Sequence, residues 1–302
     1  MKHIRWAVPL LTLAFACIGC APAPPAPGGL VVTIEPLAKL IKPLLPPDMP
    51  LHRLLPPNAS AHTYEPSARD AQTVAAARIL FYVDDSLDGW ASELAAPQRI
   101  QVSSFLPEAA RRGIELDGDH DHGDHGHDHD HPEGAFNPHF WTDPLSVAEV
   151  APGLAQALAE ADPANAAHYR AKGEELVAAM RALDVELAAT LAPVRGAAVA
   201  QFHPSWDYFL ARYGLRVVGL VEPAPGKEGS PRYLEALIAK LRAAEVRIVF
   251  TEPQLPIRPA EVVAEAIGAK LLSMDPIGGN TPGQDSYRDW LLHSARELRA
   301  AL

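Results

Sequence analysis

The chain has 302 residues, about half of them apolar (48%), so it is long enough for one large or two medium domains with a sizeable core. Its formal charge is −11 and no basic stripe is visible, which argues against a nucleic-acid binder. Both cysteines, Cys17 and Cys20, lie near the N-terminus, so the rest of the chain offers no disulfide and no thiolate ligand.

Residues 1–19 read as an export signal. Lys2 and Arg5 supply positive charge, and 6–19 form an apolar run too short to span a bilayer. The run ends in Ile18-Gly19-Cys20, which resembles a bacterial lipobox with Cys17 standing where Leu is usual. Cys20 would then become the lipidated first residue of the mature chain; the alternative is plain signal cleavage near Ala21 to Ala23. Loss of 1–19 removes Lys2 and Arg5 and leaves −13. Residues 20–29 form a Pro-rich spacer after that anchor.

From Leu30 onward, short apolar runs alternate with helical stretches. Strands are expected at 30–34, 51–55, 79–83 and 99–102, with helices at 36–45, 67–77 and 86–95 between them. Such alternation implies a parallel sheet covered on both faces. The segment 115–133 carries eight acidic residues and no basic one, leaving −5 for the remainder. Its core, 117–131, has no apolar residue and is expected to be a disordered loop of the N-terminal lobe, 30–161. It holds His120, His122, His125, His127, His129 and His131, expected to form a secondary, weak metal-binding stretch with a scavenging or buffering role, the alternative being a solvated linker with incidental metal affinity.

Asp162-Pro163 reads as a helix start, an Asp cap with Pro at the first helical position. Tyr169, Leu176, Met180, Leu183, Leu187 and Leu191 follow at spacings of mostly three and four. The resulting helix, 162–193, is long enough to link two lobes. Alternation then resumes through a C-terminal lobe, 194–302. Strands are expected at 197–201, 216–220, 247–251 and 270–273, with helices at 206–213, 231–243, 259–267 and 286–302.

Open parallel sheets bind ligands beyond the carboxyl ends of their strands. His62, His203, Glu252 and Asp275 all follow expected strands, and His139 lies in a Pro-flanked loop leading toward the linking helix. Any one such His is more often structural than functional. Three together with a carboxylate suit Zn²⁺, which imidazole nitrogens and a fourth ligand enclose tetrahedrally. Glu252 reads equally well as a residue orienting a ligand or as an ordinary strand-end carboxylate, and Glu65 as a helix-start charge. His52 reads as structural, His168 and His293 as solvated. Trp141, Trp206 and Tyr208 are expected to pack around the site rather than to touch an ion. A zinc hydrolase with Glu252 or Asp275 as base is one rival, but no HExxH or nucleophile-elbow pattern supports it. An adhesin or a metal buffer without a permease is another.

The segments 60–66 (SAHTYEP), 137–144 (NPHFWTDP), 202–209 (FHPSWDYF) and 274–276 (MDP) resemble the metal-contact segments of solute-binding proteins of ABC-type zinc and manganese importers. The resemblance covers nearly the whole mature chain. It implies an α/β fold of two lobes, each a parallel sheet flanked by helices, joined by one long rigid helix. It implies metal ligation by His62, His139, His203 and Asp275. It also implies no catalysis, and delivery of the ion by a monomer to the transmembrane subunit of an ABC permease at the cell surface or in the periplasm. Manganese-type members resemble this pattern with Glu where His203 stands, so the resemblance favours Zn²⁺ over Mn²⁺. The His-rich loop resembles that of zinc-type members.

Overall fold

The structure, a computed structural model, describes residues 28–114, 134–223, 229–279 and 284–302. The expected signal, Cys20 and the His-rich segment lie outside the described residues. Among the described residues, no helix is long and apolar enough to cross a membrane.

The first lobe runs β1 (Leu30–Val32), α1 (Glu35–Ile41), β2 (Leu51–Arg53), α2 (Ala68–Ala76), β3 (Ile79–Tyr82), α3 (Asp85–Asp88) and β4 (Arg99–Gln101). Next come α4 (Pro144–Ala161) and α5 (Ala166–Leu191). The second lobe runs β5 (Ala198–Gln201), α6 (Asp207–Arg212), β6 (Arg216–Leu220), α7 (Pro231–Ala243), β7 (Ile248–Thr251), α8 (Arg258–Ile267), β8 (Lys270–Ser273) and α9 (Tyr287–Ala301). The sheets are β2-β1-β3-β4 and β6-β5-β7-β8, and every pairing in them is parallel. The two lobes thus repeat one strand order without a sequence repeat to announce it.

Both sheets are covered on two faces, as parallel sheets require. Strand periodicity of two sorts the side chains. Leu30, Val32, Ile79 and Phe81 face a large shared core, while Val31 and Leu80 face a small outer cluster with Val74. The second sheet repeats this: Val199, Ile248 and Phe250 join the shared core, and Ala200 and Val249 meet Leu241 and Val263 outside. The shared core also takes Leu176, Met180, Leu183, Leu187 and Leu191 of α5 and Trp290 of α9. One continuous apolar mass therefore underlies both sheets.

α5 has 26 residues, about 39 Å at 1.5 Å each. Its buried positions include all six of the periodic apolar residues, Tyr169 to Leu191. The expected Asp162 cap differs. Asp162 precedes a turn of 3-10 helix, Pro163–Asn165, and makes no side-chain cap. Its carboxylate accepts from Asn165 Nδ2 at 2.8 Å and from Tyr169 Oη at 3.0 Å, so it fastens the turn sideways.

α4 is the element that periodicity does not reveal. Pro152 lies inside it, and 11 of its 18 residues are buried, so no single apolar stripe stands out. Pro152 is exposed, and Gly153 lets the Phe105 ring lie against the helix, where an added Cβ would come 2.4 Å from Phe105 Cγ. Asp143 caps the start by accepting from Leu145 N at 3.0 Å. The loop expected after His139 is thus mostly helix.

α4 and α5 approach closely at Gly173, where a Cβ would meet Ala155 Cβ at 2.6 Å. In an isolated helix, Gly to Ala gains about 1 kcal/mol; overpacking a buried contact costs about 1–3 kcal/mol. Gly173→Ala is therefore expected to lower the melting temperature, and Gly173→Ala with Ala155→Gly to recover much of the loss. A more stable single variant would refute the close approach.

Candidate metal centre

Three histidines from separate elements meet. Their ligand nitrogens all lie within 4.8 Å of one another, and among the described residues this is the one such group of three or more His, Cys, Asp or Glu. His139 Nε2 lies 3.3 Å from both His62 Nε2 and His203 Nε2. His139 and His203 are 3% and 4% exposed, so water scarcely reaches them.

Each is positioned by its local sequence. His62 sits in the Pro-bounded loop between β2 and α2. The Trp90 indole N–H holds Ala61 O at 2.8 Å on one side, and Tyr64 Oη donates to Asp70 Oδ2 at 2.9 Å on the other. Asp70 also completes a reciprocal cap with Ser67 that starts α2. His203 follows β5 and precedes Pro204, so its backbone is extended (φ −133°, ψ 171°). β5 and β7 are where strand order reverses in the second sheet, the usual place for a ligand crevice. His139 follows Pro138 and starts a 3-10 turn, Phe140–Thr142.

The outer ring nitrogens decide which way the lone pairs face. Asn137 Nδ2 donates to Pro204 O at 2.8 Å and Asp207 Oδ2 at 3.1 Å, both acceptors only. That fixes the amide orientation and turns Asn137 Oδ1 toward His139. The backbone N–H and Nδ1 of His139 then donate to it at 3.0 and 2.8 Å. Proton on Nδ1 leaves a lone pair on Nε2, aimed at the other two rings. His203 Nδ1 lies 2.6 Å from Glu252 Oε1, a close contact without the alignment of a directed hydrogen bond. Ser205 Oγ donates to that same oxygen at 2.9 Å. Glu252 thus stands against His203, close to the ring but without the hydrogen bond that its sharper sequence reading expects.

Behind Asn137, Asp207 also accepts from Gln201 Nε2, and Gln201 Oε1 accepts from Trp206 N at 2.9 Å. Burial pushes the Asp207 carboxyl up to about 6, against the hydrogen bond from Gln201, the Arg112 charge and the Asn137 amide, which all pull it down. Tyr208, expected only to pack, donates to Asn137 O at 3.2 Å and accepts from Arg112 N at 2.8 Å.

Asp275 stands apart from the three rings. Its Oδ1 accepts from Gln254 Nε2 at 2.7 Å and from Ile277 N at 3.0 Å, and it is not in the group of converging ligand atoms. The rings and Glu252, Gln254, Leu255, Pro276 and Ile277 help line a cavity of about 20 Å³, room for one water-sized species. Glu65, His52 and His293 are exposed and outside the group, and His168 is half-buried against Tyr169. Gln254 and Asn137 carried no sequence signal of their own, although Asn137 lies inside a segment quoted for its histidine.

Two open parallel sheets joined by a long helix, with imidazoles from both lobes converging in a buried pocket, define a two-lobed metal-binding protein. The chain belongs to the family described as zinc-uptake complex component A periplasmic, whose model matches residues 30–301. It is 29% identical over 170 residues to the high-affinity zinc uptake system protein ZnuA of Brucella abortus (strain 2308), covering 56% of this chain and 51% of that one. The match thus spans about half of that relative's length. In fold it is similar to a Zn(II)-bound AdcAII variant of Streptococcus pneumoniae (TM-score 0.77, 21% identity, 92% of this chain and 100% of the other). It is also similar to the solute-binding protein FpvC of Pseudomonas aeruginosa in complex with Mn²⁺ (TM-score 0.76, 23% identity, 91% and 98%).

Asn137→Ala removes the acceptor that fixes the His139 tautomer. It is expected to weaken divalent-ion binding about 10–100-fold, the usual effect of losing such a partner, in competition against a chromogenic chelator. Unchanged affinity would mean that Asn137 does not set the ring.

Proposed function

We propose that this protein is an extracytoplasmic zinc receptor that captures Zn²⁺ between its two lobes and passes it to an ABC-type permease. The observation that carries this reading is the convergence of three ring nitrogens, His62, His139 and His203, with 3.3 Å between His139 Nε2 and each of the others. Neutral lone pairs brought so near one another repel unless a proton or a cation stands between them. A cation of zinc's size and borderline softness takes imidazole nitrogens at about 2.0–2.1 Å. Family membership supports the uptake role and the extracytoplasmic location.

The metal is cargo, and the residues present suit it. The three imidazoles are the donors, Glu252 and Asn137 hold two of them in place, and Asp275 is the nearby candidate for a fourth donor. Manganese is the alternative within the same class, and one fold neighbour binds it. An all-imidazole set favours zinc, because Mn²⁺ sits at the weak end of the divalent series and suits oxygen donors better. The chain would work as a monomer, tethered through Cys20, with the permease's transmembrane subunit as its partner.

Native mass spectrometry with elemental analysis tests this on the mature chain. One zinc per chain is expected in the wild type, and loss of stoichiometric zinc in His139→Ala and in His203→Ala. Zinc retained by both variants would remove the imidazole group from the site.

A further inference from the structure

β7 and β8 run side by side in register, Thr251 opposite Ser273. The residues just beyond those ends, Gln254 and Asp275, are therefore brought together. Gln254 Nε2 donates to Asp275 Oδ1 at 2.7 Å. The backbone around Asp275 is fixed by three indole N–H groups, each on a different carbonyl. Trp206 donates to Met274 O at 3.3 Å, Trp290 to Asp275 O at 3.0 Å, and Trp141 to Pro276 O at 2.8 Å. Gly278 tightens the same turn: its φ is +61°, and a Cβ there would come 2.6 Å from Trp290 Nε1.

With its backbone held from three directions, any approach of the Asp275 carboxylate toward the imidazoles must come from turning its side chain. The Gln254 amide opposes that turn. Meanwhile Asp275 Oδ2 and Gln254 Oε1 are both buried without a hydrogen-bond partner. Two acceptors lacking donors, one on a residue that lines the cavity, make a local surplus of negative potential there.

We propose that Gln254 is a specificity-determining residue, which holds Asp275 aside so that an ion meets three imidazoles first and recruits the carboxylate only by breaking the Gln254–Asp275 hydrogen bond. This rests on the reading of His62, His139 and His203 as the metal site. Breaking that bond weighs unequally on different ions. Zn²⁺ is well served by imidazoles, whereas Mn²⁺ depends more on oxygen donors and so needs the carboxylate most. Gln254 thereby widens the preference for zinc over manganese.

The test measures Zn²⁺ and Mn²⁺ affinities of the mature chain by competition and calorimetry. The variants are Gln254→Ala, Gln254→Met (similar length, no N–H) and each combined with Asp275→Asn. Either single variant at 254 is expected to raise Mn²⁺ affinity about tenfold, the worth of one hydrogen bond to a charged group, with a smaller change for Zn²⁺. That gain should vanish in the double variants. Co²⁺ absorption provides an independent readout, with band positions shifting in Gln254→Ala as an oxygen donor joins and returning in the double variant. An unchanged or wider zinc preference in both single variants overturns the proposal, as does a gain that survives Asp275→Asn. So does an Asp275→Asn variant that loses zinc as completely as His139→Ala, since the carboxylate would then be a ligand from the outset. Zinc retained by His139→Ala would instead defeat the underlying reading of the site, a different result from any of these.

Discussion

Three imidazole nitrogens facing one another, two of them on buried rings, is the constraint on which the rest of this structure turns. Each ring must keep its proton on the far nitrogen for its lone pair to face inward. Something must therefore accept that proton behind the ring. Asn137 does so for His139, and Glu252 stands in that position for His203. Asn137 in turn owes its orientation to Pro204 O and Asp207, both beside His203. The support of the histidine reached from the first lobe is thus built by the second.

That cross-bracing recurs away from the rings. The indole N–H of Trp141, which follows His139, reaches Pro276 beyond β8, while Tyr287 Oη of α9 donates to Trp141 O at 2.7 Å. Asp143, which caps α4, pairs with Arg212 of α6 at 2.5 Å, and Arg212 lies 3.6 Å from Asp184 of α5. Burial raises the Asp143 carboxyl, and the Arg212 charge pulls it back. Arg212 is exposed and Asp143 buried, so the pair is weak evidence for stability, but losing Arg212 would leave the buried Asp143 carboxylate without its cation. Together with the shared apolar core, these contacts fix where the histidines of different elements stand.

Much of this was legible from residue pattern. β6, α7 and β8 appear at the bounds expected from the sequence, and Ser230 caps α7 by accepting from Tyr233 N. The buried stripe of α5 follows its spacing of threes and fours. Where the pattern failed, a tertiary cause is visible. α4 is buried on so many sides that it has no stripe, and Phe105 uses its Gly153. Asp162 is drawn from a backbone cap to Asn165 and Tyr169.

The site divides in the same way. The sequence by itself determined the histidines, because a His after a strand end or between prolines is a local feature, and quoted segments around all three could be recognised together. It also determined the two-sheet α/β fold, since strand and helix periodicities are local. Only the tertiary structure decided that the three rings meet, that Glu252 touches His203, that Asn137 orients His139, and that Asp275 turns to Gln254 instead of joining the rings. Most of those contacts join residues far apart in the chain, 21 positions for Gln254 and Asp275 and 77 for His62 and His139, and Asn137, though only 2 positions from His139, takes its orientation from Pro204, 67 positions away. No local pattern encodes a hydrogen-bond partner at that separation; packing the two sheets on one core does.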